Sequence, residues 1–301
     1  MTNTETSLSA GVSIGSKALE LVIVDSDGGV QSGKGAAIDF GRSIADQIHE
    51  LIIEHDSPFQ AIGLAVPGLV DTSGKIIDSR LAQLRGVDLR EDLGALVDGH
   101  ITVENDANAA AFAEWKVGAG SGAKDVFRIS IGEGVGAGLV LDGRIWRGSN
   151  GFAGEIGSIV IDEEGNRLED IASIPSIVRR TRNRFHQDNT SILKKLNEQE
   201  ISLKDISSAA AQEDDLALLM FERTGIVLGT VIAGILNTLN VELVVIAGEP
   251  TKENPVLLQA IVDRVRQCTP SVLFAGTRIA ASALDDNASA IGSALLANAK
   301  N

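Results

Sequence analysis

Glu104-Asn105-Asp106-Ala107-Asn108-Ala109-Ala110-Ala111 is the stretch that decides how this chain is read. It follows the apolar run Ile101-Thr102-Val103 and opens an alanine-rich helix, so Asp106 falls at a strand-to-helix junction. A carboxylate placed there is held on rigid scaffold, and the helix N-terminus favours its charge. The next informative stretch is Gly132-Glu133-Gly134-Val135-Gly136-Ala137-Gly138, a glycine-dense turn between two apolar strands. A carboxylate that takes a proton, together with a loop that wraps phosphate, points to phosphoryl transfer to a hydroxyl. Each stretch also has a plainer alternative. Asn-Asp before a helix is an ordinary N-cap, and a glycine-rich turn is an ordinary hairpin.

Outward from these stretches the chain alternates strand and helix. Residues 12–24 give two strands around a turn at Gly15-Ser16, and Asp25-Ser26-Asp27-Gly28-Gly29 gives a second turn. Residues 43–54 read as an amphipathic helix with Ile44, Ile48, Leu51 and Ile52 on one side. Residues 61–66 are a buried strand stopped by Pro67-Gly68, residues 89–96 a helix and residues 101–103 a strand. This order describes a mixed-sheet α/β domain. The pattern then repeats, with strands expected at 126–131, 138–141 and 159–161 and a tight turn at Asp142-Gly143. Helices are expected at 172–185, 215–239, 256–267 and 288–299, and strands at 243–247 and 279–281. The polar stretch 186–204 is expected to be a mobile surface segment. Two α/β domains follow: a small one at 8–115, completed by a C-terminal helix at 288–301, and a large one at 116–287. A two-lobed design of this kind closes over a cleft and excludes water, which competes as a phosphoryl acceptor.

Composition narrows the function. With 44% hydrophobic and 22% charged residues among 301, the chain is a globular protein with sizeable cores. A net charge of −15 argues against a nucleic-acid surface, which needs a basic stripe. The one basic cluster, Arg179-Arg180-Thr181-Arg182-Asn183-Arg184, reads as a solvated helix face. Cys268 is the only cysteine, so neither an internal disulfide nor a thiolate metal cage is possible. That fits a cytoplasmic protein. Residues 1–10 are polar and lack a signal-peptide core, and the longest apolar runs are strand-sized, so no membrane span is expected.

Together these segments resemble the ROK family of the actin-like sugar kinase superfamily, which includes bacterial glucokinases, N-acetylhexosamine kinases and sugar-responsive repressors. The resemblance covers nearly the whole chain. It rests on Ala65-Val66-Pro67-Gly68-Leu69-Val70-Asp71, Val103-Glu104-Asn105-Asp106-Ala107-Asn108 and Gly151-Phe152-Ala153-Gly154-Glu155-Ile156-Gly157. It rests further on Leu168-Glu169-Asp170-Ile171-Ala172-Ser173, Ile235-Leu236-Asn237-Thr238-Leu239-Asn240 and Ser282-Ala283-Leu284-Asp285-Asp286-Asn287. The implied fold is the two-domain actin-like, ribonuclease H-like sugar kinase fold with an interdomain cleft. Asp106 is implied as the general base. Asn105 and Glu155 are implied to bind ring hydroxyls, Glu169 the sugar's other edge, and Gly68 to admit backbone to the sugar. Gly132, Gly134 and Gly136 are implied as the second phosphate loop, and Gly248 as the start of the adenosine loop. The implied cofactors are ATP and Mg²⁺, and the implied assembly is a homodimer.

The sequence departs from the family pattern at four places. Ser13-Ile14-Gly15-Ser16-Lys17-Ala18 stands where the family has Asp-x-Gly-Gly-Thr-Lys, so Ser13 replaces a magnesium-side carboxylate and Lys17 replaces a threonine. Glu133 stands at a threonine position, where its charge repels polyphosphate unless it holds a cation. Ala247-Gly248-Glu249-Pro250 replaces a run of glycines in the adenosine loop. The zinc motif is gone, with Ser158 at the histidine position that also touches sugar, so no zinc is expected. Two functions of different class follow. One is an ATP-dependent kinase acting on a hexose or N-acetylhexosamine hydroxyl. The other is a catalytically weak or silent sugar-binding regulator. Because only residues 1–10 precede the first strand, direct DNA binding is the least expected form of the second.

Overall fold

The computed structural model describes residues 8–55 and 59–299. Most of the polar N-terminal stretch, residues 1–7, lies outside them. The chain divides into two compact units. Of the described residues, the first contains 8–55, 59–128, 138–154 and 283–299, and the second 129–137 and 155–282.

The first unit is built on a five-stranded sheet. Its strands are β1 (Ser9–Ile14), β2 (Ala18–Val24), β3 (Val30–Ala37), β4 (Ala61–Val66) and, after the short ladder of β5 (Leu69–Val70) and β6 (Ile76–Asp78), β7 (His100–Asn105). They lie in the order β3-β2-β1-β4-β7. β1, β2 and β3 are antiparallel neighbours, whereas β4 runs parallel to both β1 and β7. One face is covered by α1 (Ile44–Ile53) and α2 (Leu89–Gly94). Ile44, Ile48, Leu51 and Ile52 do enter this core, as their helical spacing requires, and Ser43 caps α1 through Asp46 N–H.

The other face is covered by α3 (Asp106–Val117) and α11 (Ala288–Asn298). Here the packing is backbone against backbone. Gly11 of β1 and Gly63 of β4 are paired neighbours. A Cβ at Gly11 would stand 1.9 Å from Ala290 O, and one at Gly63 would stand 1.9 Å from Ser293 O. A Cβ at Gly292 would stand 1.8 Å from Ala109 O. Only side chains of minimal size allow α11 to pack this closely on the sheet and on α3, four of whose six buried residues are alanine.

A second five-stranded sheet has the order β10-β9-β8-β11-β12. Its strands are β8 (Val126–Ile131), β9 (Val135–Leu141), β10 (Arg144–Ile145), β11 (Leu243–Ala247) and β12 (Arg278–Ala281). The β9–β10 hairpin turns on Asp142 (φ 49°) and Gly143 (φ 72°), the left-handed pair a two-residue hairpin needs. The helices of the second unit are α4 (Leu168–Ala172), α5 (Ile174–Phe185), α6 (Leu203–Ala210), α7 (Asp215–Leu239), α8 (Glu249–Glu253), α9 (Pro255–Cys268) and α10 (Ser271–Ala275). The α7–α9 contact again relies on glycine. Cβ atoms at Gly225 and Gly229 would meet Ala260 Cβ at 2.6 Å and Arg264 Cβ at 2.7 Å.

Four expectations need correction. The strand at 159–161 is reduced to a single bridge between Val160 and Arg167, because Ile159 and Val160 are exposed and have no further partner strand among the described residues. The helix at 172–185 is two helices. Ser173 is extended (ψ 155°) as the N-cap of α5, and Pro175 lies in the first turn of that helix, where its missing N–H costs nothing. The stretch 186–204 is anchored rather than wholly on the surface. Leu193 and Ile201 are buried, and Ser191 Oγ and Ile192 N–H both donate to the buried Asp214 carboxylate, at 3.1 and 2.7 Å. Finally, α7 is by length and composition apolar enough to cross a membrane, although 56% of its apolar window is buried inside the fold.

Candidate functional site

Asp106 is the first residue of α3, directly after β7. The cap of that helix is Asn105, whose Oδ1 accepts Asn108 N–H at 3.0 Å. Capping therefore does not consume the Asp106 carboxylate. Its Oδ1 accepts Ala107 N–H at 2.9 Å, and its other oxygen has no side-chain partner among the described residues. The main chain is pinned from the far side, where Ser289 Oγ donates to Asp106 O at 3.1 Å. Burial pushes the Asp106 carboxyl above the usual carboxylate range; the Ala107 N–H and the positive charges of Arg128 and Arg80 oppose this without cancelling it. The result is a rigidly held carboxylate with raised basicity.

Gly68 is tied to the same junction. Asn105 Nδ2 donates to Gly68 O at 2.9 Å, leaving one amide hydrogen of Asn105 for a ligand. Gly68 has φ 138°, and a Cβ there would fall 2.3 Å from Asp78 O, so glycine is required. Beneath this pair lies Glu104, only 7% exposed. Its Oε1 accepts Asn105 N–H at 3.0 Å and Asn108 Nδ2 at 3.1 Å, and its Oε2 accepts Arg147 Nε and Nη2 at 2.7 and 2.6 Å. Glu104 thus orients both asparagines around Asp106. Arg147→Met is expected to cost about 2 kcal/mol, because it leaves a buried carboxylate short of its ionic partner while solvent on the arginine side limits the loss. Urea unfolding measures this, and a change within about 0.5 kcal/mol contradicts the assigned role.

Gly15, Ser16 and Lys17 form the β1–β2 turn, closed by Gly15 N–H donating to Ala18 O at 2.8 Å. Ser16 and Lys17 are exposed. Ser13 sits within β1, paired with Glu20 on one side and Ala65 on the other.

The second unit holds the remaining sequence-predicted residues. Glu155, Ile156, Gly157 and Ser158 form one helical turn, with Ser158 N–H donating to Glu155 O at 3.2 Å. A Cβ on Gly157 would lie 2.3 Å from Val135 O and 3.4 Å from Glu169 Oε2. The absence of that atom lets the turn sit on β9 with the Glu169 carboxylate beside it. Glu155, Ser158 and Glu169 are therefore brought together, with Glu155 and Ser158 exposed and Glu169 half-buried. The same group is linked to the glycine-rich turn. Ser173 N–H donates to Glu169 O at 3.2 Å, and Ile174 N–H donates to Gly132 O at 2.9 Å. Gly132 N–H closes the turn on Gly134 O at 2.9 Å, Gly136 lies in β9 and Glu133 is exposed at the tip. A Cβ at Gly132 would meet nothing within 4 Å, so this turn opens onto free space.

Gly248 (φ 118°) lies against the end of β8, where a Cβ would fall 2.1 Å from Ile131 O. Pro250 is accommodated in the first turn of α8, and Thr251 N–H and Oγ1 instead donate to Gly248 O at 3.0 and 2.8 Å. Among the described residues no group of three or more His, Cys, Asp and Glu side chains is placed to hold a metal ion.

Sequence reading missed two carboxylates. Glu104 carries no role in its motif read alone, although a carboxylate directly after Ile101-Thr102-Val103 needs a partner if it is buried. Glu114 on α3 is fully buried and accepts N–H bonds from Ala119, Ala283 and Leu284 at 2.8, 3.1 and 3.2 Å, tying α3 to the approach to α11. The only local hint was a glutamate on the alanine face of that helix.

Comparison with known proteins places these residues in context. The model of the ROK family matches residues 9–300. A glucokinase of Halalkalibacterium halodurans is 32% identical, with 83% of this chain and 80% of that protein covered. A xylose repressor of Bacillus subtilis is 27% identical, with 96% of this chain and 77% of that protein covered. Among solved structures, a glucokinase of Streptomyces griseus in complex with glucose and AMPPNP superposes with a TM-score of 0.80 at 26% identity, covering 96% of this chain and 99% of that one.

Proposed function

The chain belongs to the ROK family, and from that premise we propose that it is a sugar kinase transferring a phosphoryl group to a hydroxyl of a hexose or N-acetylhexosamine. The observation that carries the reading is Asp106: a half-buried carboxylate on a rigid helix start, relieved of capping by Asn105 and raised in basicity by burial. In this reading Asp106 takes the proton of the attacking hydroxyl. The second amide hydrogen of Asn105, the backbone at Gly68 and the group Glu155, Ser158 and Glu169 bind the sugar's other hydroxyls, which need both donors and acceptors.

ATP supplies the phosphoryl group when bound. The residues assigned to it are Gly15, Ser16, Lys17, Gly132, Glu133, Gly134, Gly136 and Gly248. The open space at Gly132 suits a phosphate approached by backbone N–H groups. A magnesium ion fits less completely. Ser13 offers no carboxylate, and exposed Glu133 is the acid left to serve the cation. The S. griseus relative, held with glucose and AMPPNP, supports a sugar and a nucleotide as the ligand pair.

The altered first turn also supports a second reading, a sugar-binding regulator without turnover, consistent with the similarity to the xylose repressor. Assembly as a homodimer belongs to either proposal. A coupled assay over hexoses and N-acetylhexosamines with Mg·ATP separates them. Turnover with at least one sugar, slow by kinase standards and lowered at least about a hundredfold in Asp106→Asn, is expected. Calorimetric sugar binding without any turnover selects the regulator instead.

A further inference from the structure

The structure overturns one reading of the sequence in a productive way. The arginine run of α5 is not simply a solvated face. Thr181 is fully buried and Arg180 is half-buried between α4 and α7. Arg180 Nη1 donates to Ile171 O at 2.8 Å and to Thr224 Oγ1 at 2.9 Å, and both acceptors are neutral. The remaining Nε and Nη2 donors are not taken up among the described residues. That edge of a guanidinium matches a phosphate or carboxylate oxygen pair.

The charges that act on Arg180 are Arg223, Arg179 and Arg184, with no carboxylate among them, and burial together with their repulsion lowers its pKa to about 10. Arg184 lies one turn further along α5, and Arg223 precedes on α7 the threonine that Arg180 holds. Neither Arg184 nor Arg223 has an ion-pair partner among the described residues. Arg179 is oriented by its Nη2 bond to Asp170 O, at 2.7 Å. A chain of net charge −15 thus holds three further guanidinium groups close enough to act on Arg180, with no carboxylate among the charges that do. Arginines clustered this way repel one another until an anion joins them.

We infer that Arg180, Arg184 and Arg223 form a binding site for a phosphate dianion, carried either free or as a sugar phosphate, on the α5–α7 face of the second unit. Arg180 supplies a preset fork through Nε and Nη2, and Arg184 and Arg223 close over the remaining oxygens. This site is independent of the role assigned to Asp106.

The test is calorimetry on the full chain at constant ionic strength, first with inorganic phosphate and then with a hexose 6-phosphate. Saturable binding is expected, weakened at least tenfold in the double variant Arg184→Gln/Arg223→Gln. Both of those side chains reach solvent, and thermal melts confirm that the variant is folded. Arg180→Lys keeps the charge but loses the fork, and is also expected to weaken binding tenfold. Asp106→Asn is expected to bind phosphate as the native chain does, so failure of the kinase reading leaves this result intact. Of the binding that the double variant removes, equal affinity for the two probes assigns the site to free phosphate, and tighter binding of the ester assigns it to sugar phosphate. Absence of saturable binding to either probe, or binding unchanged in the double variant, overturns the proposal.

Discussion

Asp106→Asn is expected to lower kcat for sugar phosphorylation by about 10²–10⁴-fold, the usual contribution of a positioned general base, while sugar affinity changes by less than about threefold. The split follows from the geometry. Asparagine keeps an oxygen for Ala107 N–H, and Asn105 still caps α3, so the helix start survives. What is lost is a proton acceptor. The pH dependence carries the same signature. Because burial raises the Asp106 pKa, the acid limb of the native rate profile is expected above the ordinary carboxylate value, with activity falling as pH drops through it. The stability effect has the opposite sense. A carboxylate whose pKa is raised on folding loses stability as pH rises through the window between its unfolded and folded values. Asp106→Asn removes that penalty, so its melting temperature at neutral pH is expected to equal or exceed the native one. A variant that loses activity only by unfolding contradicts the assignment.

Gly63→Ala is expected to destabilise the first unit by about 3 kcal/mol or more, a large overpacking cost. The added Cβ would stand 1.9 Å from Ser293 O and 2.2 Å from Ser293 C, and both are backbone atoms of α11. No rotamer change relieves that contact. The helix must lift from the sheet, and it is already held on its other side by Gly292 against Ala109 O. Since α3 carries Asp106, the shift is also expected to reduce activity in whatever protein remains folded. Gly86→Ala is the control. Gly86 has φ 73°, yet a Cβ there would meet nothing within 4 Å, so its cost is confined to backbone strain of about 1 kcal/mol. Urea unfolding of both variants measures the difference. Equal effects contradict the packing argument.

The sequence made the alternation of strands and helices legible wherever a single period dominated. β4 was readable because an apolar run met Pro67-Gly68, and β7 and the start of α3 because another met the polar junction at Asn105-Asp106. The turn at Asp142-Gly143 was readable because its backbone demands those residue types. What could not be read were features that depend on a partner distant in sequence. Ile159 and Val160 have strand-like composition, but only Arg167 stands opposite, so no ladder forms. The polar stretch 186–204 hides two anchors, Leu193 and Ile201, whose burial depends on neighbours contributed from elsewhere in the fold. Glu104 reads as a strand residue until Arg147 arrives from beyond β10 to neutralise it. Arg180 reads as solvated until α7 supplies Thr224. The candidate site was thus legible in its residue types, whereas the second layer that orients them was not.

The most direct measurement is mass-spectrometric detection of sugar phosphate after incubating the chain with Mg·ATP and each sugar that binds in calorimetry, with Asp106→Asn in parallel. The account predicts a sugar monophosphate from the native chain, formed in step with ADP, and at least about a hundredfold less in the same time from the variant. Sugar phosphate formed equally by both proteins contradicts the role given to Asp106, and a bound sugar that is never phosphorylated contradicts the kinase reading itself.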